Sequence, residues 1–248
     1  MIRRALTPNR MHRRTTLDLP LVSYGASLEG CPLHWIPPRS KNCDLLLIAG
    51  LHGEEPDTTV ILSRACRSLP PSDIAPDVGI ILSANPDGLA AGTRGNARGV
   101  DLNRNFPASN WSADESTARW HVEDSDGLPI GTGASPSSEP EVAALIKLIE
   151  AHAPQRILSL HGPLDCVDDP RESELGLWIA SETGSPLVTD IGYPTPGSMG
   201  SWAWERCLPI VTWEFPAAGI EELSRRFVPL LGEILRSGFR NLPSPDSD

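Results

Sequence analysis

The segment GLHGEEPD, residues 50–57, places one histidine and two glutamates directly after the apolar run DLLLIA. Imidazole and carboxylate side chains are poor core residues, so their concentration at the end of a strand-like run indicates a site rather than packing. His52 and Glu55, three residues apart, can reach one ion across a turn, and both residue types are zinc ligands. The spacing alone does not decide whether Glu54 or Glu55 would be the carboxylate ligand.

A third zinc ligand can come from His161, which ends the apolar run RILSLH. A catalytic zinc takes three protein ligands and leaves one position for water. His161 follows Glu55 by 106 residues, so it reaches the same ion only if its strand lies beside the strand before His52. Each signal is weak alone, and a solvent-exposed loop histidine remains the alternative interpretation.

The segment of residues 92–107, GTRGNARGVDLNRNFP, is rich in groups that bind carboxylates. A guanidinium can bind both oxygens of a carboxylate at once. The glycines of this segment do not indicate a phosphate-binding loop, because no G-K-[ST] follows and the segment comes after an N-P-D-G turn rather than opening a helix. A solvated basic loop is the alternative interpretation. The candidate carboxylate-binding residues of this segment, and the asparagines beside them, are Arg94, Arg98, Asn103, Arg104 and Asn105.

Glu214 lies at the end of the apolar run PIVTWEFP, between Trp213 and Phe215. Apolar surroundings disfavour the charged form of a carboxylate and raise its pKa toward the range that suits a general base. The sequence therefore makes Glu214 a candidate base. A salt-bridged or solvent-facing glutamate at a strand end is the alternative.

The elements that would position these residues are short apolar strands alternating with helices. Strands are predicted in CDLLLIAG, VGIILSA, RILSLHG and PIVTWEFP, and a hairpin is predicted before them in VSYGASLEGCPLHWIPP. This alternation is typical of an α/β fold with a largely parallel sheet in one domain. In open α/β sheets, ligands bind beyond the carboxyl ends of the strands. That rule fits the positions of His52, Glu55, His161 and Glu214.

Three helices are predicted from apolar periodicity and end signals. One follows Asp57, its expected N-cap, and stops before the prolines at 70 and 71. Another starts after Ser138 as the expected cap, and the last one contains Pro229, a potential kink. Residues 107–137 show no period and are expected to form a long functional or mobile loop.

Composition restricts the partners and the compartment. The chain has 248 residues, 40% apolar and 21% charged, with a formal net charge of −11, which argues against binding nucleic acid or anionic membranes. The uninterrupted apolar runs are all shorter than a membrane-spanning helix requires. Five cysteines without CxxC spacing favour a reducing compartment, so the cytoplasm is expected. Small molecules or peptides are the expected partners.

Both ends of the chain are expected to lie outside the folded domain, which is placed at residues 17–240. Residues 1–16 hold five arginines and no acid, which predicts a flexible basic arm, with a transit peptide as the alternative. Residues 241–248 are expected to form a flexible tail.

Several motifs, taken in order, resemble the zinc carboxypeptidase family, and within it the small bacterial branch of murein tripeptide amidases. They are HGEE, NPDG, RGNARGVDLNRNFP, SLHG, YPTPGSMGSW and WEFP, and they extend over residues 50–216. The resemblance implies a twisted mixed, mostly parallel sheet of about eight strands with helices on both faces. It also implies one Zn²⁺ per chain.

The resemblance assigns a role to individual residues. It implies zinc ligands at His52, Glu55 and His161, a general base at Glu214 and an oxyanion-stabilising arginine at Arg94. It implies that Asn103 and Arg104 hold the terminal carboxylate of the substrate and that Tyr193 is the mobile tyrosine of the site. Gly200 falls near the position that sets side-chain preference and implies a roomier pocket, whereas Arg98 lies outside the family pattern.

The implied substrate is the cell-wall peptide L-Ala-γ-D-Glu-meso-diaminopimelate, cut at the γ-D-glutamyl amide during murein recycling in the cytoplasm. One alternative is an N-acyl amino acid deacylase of the aspartoacylase or succinylglutamate desuccinylase type, which shares H-x-x-E and D-L-N-R signatures. Another is a relative that binds carboxylated peptides without cutting them. The sequence does not indicate an oligomeric state.

Overall fold

Within the computed structural model, the residues that can be described are 19–114, 116–118 and 128–239, together with 17 and 242. The predicted basic arm of residues 1–16 and all but one residue of the predicted tail lie outside them. The strands are β1 (Val22–Ala26), β2 (Pro32–Trp35), β3 (Leu45–Ile48), β4 (Val78–Ile81), β5 (Ser116–Ala118), β6 (Leu128–Ile130), β7 (Arg156–His161), β8 (Leu164–Asp168), β9 (Leu187–Val188) and β10 (Ile210–Pro216). The α-helices are α1 (Pro56–Ser68), α2 (Pro86–Ala91), α3 (Pro140–His152), α4 (Glu174–Thr183), α5 (Met199–Glu205) and α6 (Ile220–Ser237).

The central sheet has six strands in the order β4-β3-β7-β10-β8-β9. The first four are parallel to one another, β8 is antiparallel to β10, and β9 is parallel to β8. The β1–β2 hairpin extends the sheet beyond β4, because Ile36 and Ile80 exchange backbone hydrogen bonds of 2.8 and 3.0 Å. The expected mixed, mostly parallel sheet of about eight strands is therefore confirmed.

One face of the sheet carries an entirely apolar core. Alternate residues of the parallel strands pack there against α1, α4 and α6. Trp213 and Phe215 of β10 form an aromatic cluster with Phe227 of α6, with ring centroids 5.0 to 5.1 Å apart. Burying one such side chain contributes about 1.5–3 kcal/mol. Packing of these three helices on one face holds the strands of the sheet in place, and the site lies on the other face.

The other face of the sheet changes from apolar to polar along the strands. Ile157 and Ile210, near the amino ends of β7 and β10, pack in a core with α3 and α5. His161, Thr212 and Glu214, toward the carboxyl ends of the same strands, share that face because side chains alternate with period two. The apolar half anchors the helices, and the polar half is free to form a site.

The start of α1 differs from the prediction. The helix begins at Pro56, so Asp57 is its second residue and the N-cap is Glu55, whose side chain makes no capping hydrogen bond. The Glu55 carboxylate instead contacts His52 and His161. The predicted cap was wrong because the side chain nearest the helix start is used by the site. The predicted stop is confirmed, since α1 ends at Ser68.

Two other local predictions were also wrong. The N-P-D-G segment is not a simple turn but the start of α2, with the Asn85 side chain accepting a hydrogen bond from the Gly88 N–H at 3.0 Å. Ser138 does not cap α3, because its hydroxyl donates to the Glu139 carboxylate at 2.8 Å. Both helices have proline at the first helical position, where its fixed φ suits a helix and its missing N–H costs no intrahelical hydrogen bond.

The region of residues 107–137 is not entirely a loop. Within its described part, β5 and β6 pair antiparallel, and Gly131 bridges to Val100. Strands β8 and β9 and helices α4 and α5 were not predicted. α6 continues from Ile220 to Ser237 with Pro229 inside it.

Candidate active site

The predicted site residues converge at the carboxyl ends of β3, β7 and β10. They surround a small cavity of about 60 Å³, here called the inner pocket. Its walls include most of the residues singled out from the sequence. These are His52, Glu55, Arg94, Asn103, Arg104, Tyr193, Gly200 and Glu214.

Two histidines and one glutamate form a compact cluster beside this pocket. His52 and Glu55 lie in the turn between β3 and α1, and His161 is the last residue of β7, the strand hydrogen-bonded to β3. Glu55 Oε1 is 2.6 Å from His52 Nδ1, and Glu55 Oε2 is 3.1 Å from His161 Nδ1. The strand adjacency that the zinc hypothesis required is therefore present.

The cluster fits a tetrahedral zinc ion. The two Nδ1 atoms are 3.2 Å apart, and one ligand atom from each of the three residues lies within 4.8 Å of the others. Zinc bonds of about 2.0–2.2 Å require tetrahedral ligand atoms to be separated by about 3.3 Å. The donor set of two imidazoles and one carboxylate leaves one position for water, as in catalytic zinc sites.

Glu54 and Glu55 have different partners, which separates the two candidate carboxylates. Only Glu55 joins the histidines. Glu54 Oε1 instead accepts a hydrogen bond of 3.2 Å from Arg94 Nη1. The geometry thus favours Glu55 over Glu54 as the carboxylate of the cluster.

Asp101 was missed by sequence reasoning although it links two site residues. Its carboxylate lies 3.1 Å from His52 Nε2 and accepts a 2.8 Å hydrogen bond from Arg94 Nε. Burial favours the neutral form, but Arg94 and His52 outweigh it and hold the pKa of Asp101 well below its usual range. A carboxylate behind a ligand histidine fixes the ring and its tautomer. In the sequence, the only feature that could have pointed to Asp101 is its position as the first residue of the D-L-N-R stretch.

The charges in the cluster favour a cation. Burial and Arg94 lower the pKa of His52, yet Glu55 and Asp101 raise it to about 9 overall. Burial raises the pKa of Glu55, but His52 and His161 more than offset this and keep it below its usual range. Burial lowers the pKa of His161. The buried carboxylates thus stabilise positive charge at this position.

Arg104 is buried in the short turn after Asp101 without a carboxylate bound to it. It is 3% exposed, and its Nε and Nη1 donate to Ser116 Oγ at 3.1 Å and to the Asn103 carbonyl at 2.8 Å. Burial lowers its pKa. Among the described residues, no ion pair neutralises it, so its charge is available to an anion in the inner pocket.

Asn103 is held beside Arg104 by the neighbouring helix. Its Oδ1 accepts a hydrogen bond of 2.9 Å from the Met199 N–H at the start of α5. Its own N–H donates to Asp101 Oδ1 at 2.8 Å. The turn that carries both predicted carboxylate-binding residues is therefore tied to Asp101 and to α5.

Glu214 is buried with one oxygen unsatisfied. Oε2 has no hydrogen-bond partner among the described residues, although the side chain lines the inner pocket. Burial, followed by the nearby Glu55, raises the pKa of Glu214 to about 8. The predicted direction is confirmed, but Trp213 and Phe215 are not its cause, because they pack on the opposite face of the sheet. The backbone of Leu164 still donates one hydrogen bond to the carboxylate, which lowers its pKa by less than burial raises it. A buried carboxylate of raised pKa with one free oxygen can accept and release a proton.

The remaining candidates occupy different surroundings. Tyr193 lines the inner pocket, and burial followed by Glu214 raises its pKa. Arg98 lies away from this pocket and forms an ion pair with the buried Glu139 at 2.9 Å. Of the three arginines in the 92–107 segment, only Arg94 and Arg104 therefore face the inner pocket.

A model of the zinc carboxypeptidase family matches residues 19–166. The chain is a member of the zinc carboxypeptidase family. Two curated relatives are murein peptide amidase A from Escherichia coli (strain K12), 46% identical over 216 residues, and from Vibrio campbellii, 43% identical over 229 residues. The first alignment covers 86% of this chain and 88% of the Escherichia coli protein. The second covers 90% of this chain and 91% of the Vibrio campbellii protein.

One solved structure supports the family placement, and a second shows the fold. The murein-tripeptide amidase of Escherichia coli O157 superposes with a TM-score of 0.85 at 43% identity, covering 92% of this chain and 95% of that one. Carboxypeptidase A from Helicoverpa armigera superposes with a TM-score of 0.67 at 18% identity over 92% of this chain and 70% of its own, which shows the shared fold alone. Among the described residues, none of the helices combines the length and apolar character that crossing a membrane requires.

Proposed function

We propose that this zinc carboxypeptidase family member hydrolyses the γ-D-glutamyl–meso-diaminopimelate bond of a murein tripeptide. The observation that carries the proposal is the joint position of the His52–Glu55–His161 cluster, the Glu214 carboxylate with its free Oε2, and the buried Arg104 around one pocket. Identities of 43–46% to proteins named murein peptide amidase A, over nearly their whole length, support the choice of substrate.

His52, Glu55 and His161 would hold one zinc ion, and Asp101 would keep the His52 ring in place. Zinc, when bound, polarises a carbonyl oxygen and lowers the pKa of a bound water. The residues present fit such an ion in number, type and spacing. Their burial excludes competing solvent from the reacting groups.

Glu214 would accept a proton from the attacking water and pass it to the leaving amine. Its raised pKa suits both steps, because it lies near the pH at which the enzyme would work. Arg94 would stabilise the negative charge that develops on the carbonyl oxygen, an effect commonly worth about 3 kcal/mol. Asp101 and Glu54 hold the Arg94 guanidinium from two sides.

Arg104 and Asn103 would bind the free carboxylate of the leaving residue. Arg104 is suited to this role because it is buried and lacks a carboxylate partner within the described residues. Binding of that carboxylate would set the distance of the scissile bond from Glu214, which is how positioning lowers a barrier. Tyr193 would close the pocket from the side of the substrate.

The test compares the tripeptide L-Ala-γ-D-Glu-meso-diaminopimelate with the same peptide amidated at the carboxylate next to the scissile amine. The free acid should be hydrolysed, and amidation should lower kcat/KM by about 30- to 1000-fold, since a charge-assisted contact is lost. Arg104→Gln should lose a similar factor on the free acid and little more on the amide, because both changes delete one interaction. Release of diaminopimelate, measured by mass spectrometry, gives the rates.

Other results would assign a different function. Faster hydrolysis of N-succinyl or N-acetyl amino acids than of the tripeptide would favour the deacylase alternative. Zinc binding with no turnover of any substrate would favour a non-catalytic peptide-binding protein. Efficient release of a C-terminal phenylalanine, or indifference to amidation, would contradict the murein substrate while leaving the family unchanged.

The stoichiometry of one zinc per chain and the cytoplasmic location belong to the same proposal. All five cysteines lie in the described part of the chain and are free, which is compatible with a reducing compartment. Metal analysis of the purified protein and fractionation of cells test these two statements directly.

A further inference from the structure

A second cavity of about 560 Å³ opens from the inner pocket and has no part in the chemistry proposed above. This outer cavity is bounded by Arg171, Asp190 and Trp204. It shares part of its wall with the inner pocket, including Asp168, Gly200 and Thr212. A long side chain that starts in the inner pocket can therefore extend into the outer cavity.

The shared wall forms the passage between the two cavities. Asp168 of β8 is paired in register with Thr212 of β10, two residues before Glu214, so both side chains lie on the face that carries the site. Gly200 adds no side chain to this wall, and a Cβ atom there would meet only Ser198 Oγ, at 3.6 Å. A bulky residue at position 200 would narrow the passage.

Asp168 presents an unneutralised carboxylate at this passage. Within the described residues its side chain makes no hydrogen bond or ion pair, whereas the adjacent Asp169 is occupied by Ser173 and by the Arg171 N–H. Burial, with smaller contributions from Asp169 and Asp190, raises the pKa of Asp168 to about 6. The group is still mostly ionised at neutral pH, and a cation beside it would be stabilised.

Arg171 provides a positive charge in the outer cavity, outside the wall that the two cavities share. Its guanidinium stacks over the Trp204 ring, 4.7 Å from the centroid, and among the described residues it pairs with no carboxylate. Stacking fixes the plane of the guanidinium and leaves its N–H groups along the edge for a planar anion. Arg171 lines only the outer cavity, whereas Asp168 lines both cavities.

We propose that Asp168 binds the ammonium and Arg171 the carboxylate of an amino-acid group at the far end of the leaving residue's side chain. This proposal rests on the proposed function and deepens it. Arg104 and Asn103 would hold the near carboxylate in the inner pocket, and the side chain would pass Gly200 into the outer cavity. The two opposite charges would select a zwitterionic end over a side chain with one charge or none.

The test uses three tripeptides that differ only in the leaving residue. One ends in meso-diaminopimelate, one in lysine, which lacks the distal carboxylate, and one in 2-aminopimelate, which lacks the distal amine. Asp168→Asn should lower kcat/KM about 30- to 300-fold for the two amine-bearing peptides and leave the third nearly unchanged. Arg171→Met should lower it about 10-fold for the two carboxylate-bearing peptides and leave the lysine peptide nearly unchanged. Both losses should appear in KM rather than in kcat.

Arg226→Met is the matched control, because Arg226 also stacks on an aromatic ring, that of Phe227 at 4.9 Å, but lies outside the outer cavity. It should preserve the wild-type preference among the three peptides. Zinc content and unfolding temperature check that each variant is folded. Arg171 is exposed, so its variant should fold even if Asp168→Asn does not.

The outcomes separate two kinds of failure. A wild-type protein that hydrolyses none of the three peptides contradicts the proposed function. A wild-type protein that prefers diaminopimelate, together with an Arg171→Met variant that keeps the same preference over lysine, overturns the zwitterion proposal and leaves the proposed function intact.

Discussion

At the scale of single residues, three buried carboxylates of the site meet different partners. Glu55 lies against two histidines, and Asp101 lies between a histidine and an arginine. Oε2 of Glu214 has no partner within the described residues. The cationic neighbours keep the pKa values of Glu55 and Asp101 low, whereas burial raises that of Glu214 to about 8. Divergent surroundings of this kind give the carboxylates of one site different pKa values and therefore suit them to different roles.

The change Glu214→Gln tests the proton-transfer role. Glutamine has nearly the same shape but cannot accept the proton, so kcat on the tripeptide should fall by about 100- to 10,000-fold. Zinc content and KM should stay close to wild type, because neither depends on this proton. Steady-state kinetics and metal analysis provide the measurements.

Glu182→Gln is a suitable control for this prediction, because Glu182 is exposed on α4 and lies outside the inner pocket. It should leave kcat unchanged. Near-normal turnover of Glu214→Gln would place the general base elsewhere, with Glu54 as the next candidate.

At the scale of elements, the 92–107 segment is fastened to the start of α3. Glu139, at the helix N-cap, is fully buried and accepts hydrogen bonds from Asn96 Nδ2 at 2.8 Å and from Arg98 Nη1 at 2.9 and 3.0 Å. Its backbone N–H donates to Asn105 Oδ1 at 3.1 Å. The segment that carries Arg94, Asp101 and Arg104 thereby keeps a fixed path although it has little regular secondary structure.

The change Glu139→Gln should weaken this attachment. Removing the charge leaves Arg98 and Asn96 with a poorer acceptor, which should lower the free energy of unfolding by about 1–3 kcal/mol. KM for the tripeptide should rise, because Asn103 and Arg104 lie on the same segment. Denaturant unfolding and kinetics measure the two effects.

Glu150→Gln, an exposed substitution on the same helix, should change the free energy of unfolding by less than about 0.5 kcal/mol. Equal stability of the two variants would mean that Glu139 does not fasten the segment.

At the scale of the whole molecule, the candidate metal ligands join distant parts of the chain. His52 and Glu55 follow β3, and His161, 106 residues beyond Glu55, ends β7. The two strands are neighbours in the central sheet, so their carboxyl ends meet at one edge. A metal bound there would link two neighbouring strands of the native sheet and would have no equivalent site in the unfolded chain.

Removal of zinc should therefore lower the unfolding temperature. A ligand present at about 1000 times its Kd stabilises the native state by about 4 kcal/mol, which corresponds to about 8–16 °C for a domain of this size. Thermal unfolding with a chelator, and again after zinc is restored, measures the shift.

Two glutamate variants make this prediction specific. Glu55→Gln should show little response to chelator or zinc, whereas Glu54→Gln should respond like wild type, because only Glu55 contacts both histidines. An unchanged unfolding temperature in the wild type, or loss of the response in Glu54→Gln alone, would contradict the ligand assignment.

The sequence by itself determined the features that depend on neighbouring residues. Apolar runs without polar interruption predicted the buried strands β3, β4, β7 and β10, and the polar residues that end them predicted a site at the carboxyl edge. The His52–Glu55 pair was visible because both residues lie in one turn. Such patterns are local, since strand burial and turn spacing are properties of a few consecutive residues.

Only the tertiary structure decided which residues meet. The order of strands brought His161 to Glu55 rather than to Glu54, and it turned Arg98 toward Glu139 while Arg94 and Arg104 faced the inner pocket. The partners of Asp101 and the charges of the outer cavity came from segments far apart in the chain. Residue type states which contacts a side chain can make. Strand order and the packing of helices on each face determine which of those contacts is within reach, and this depends on the whole chain.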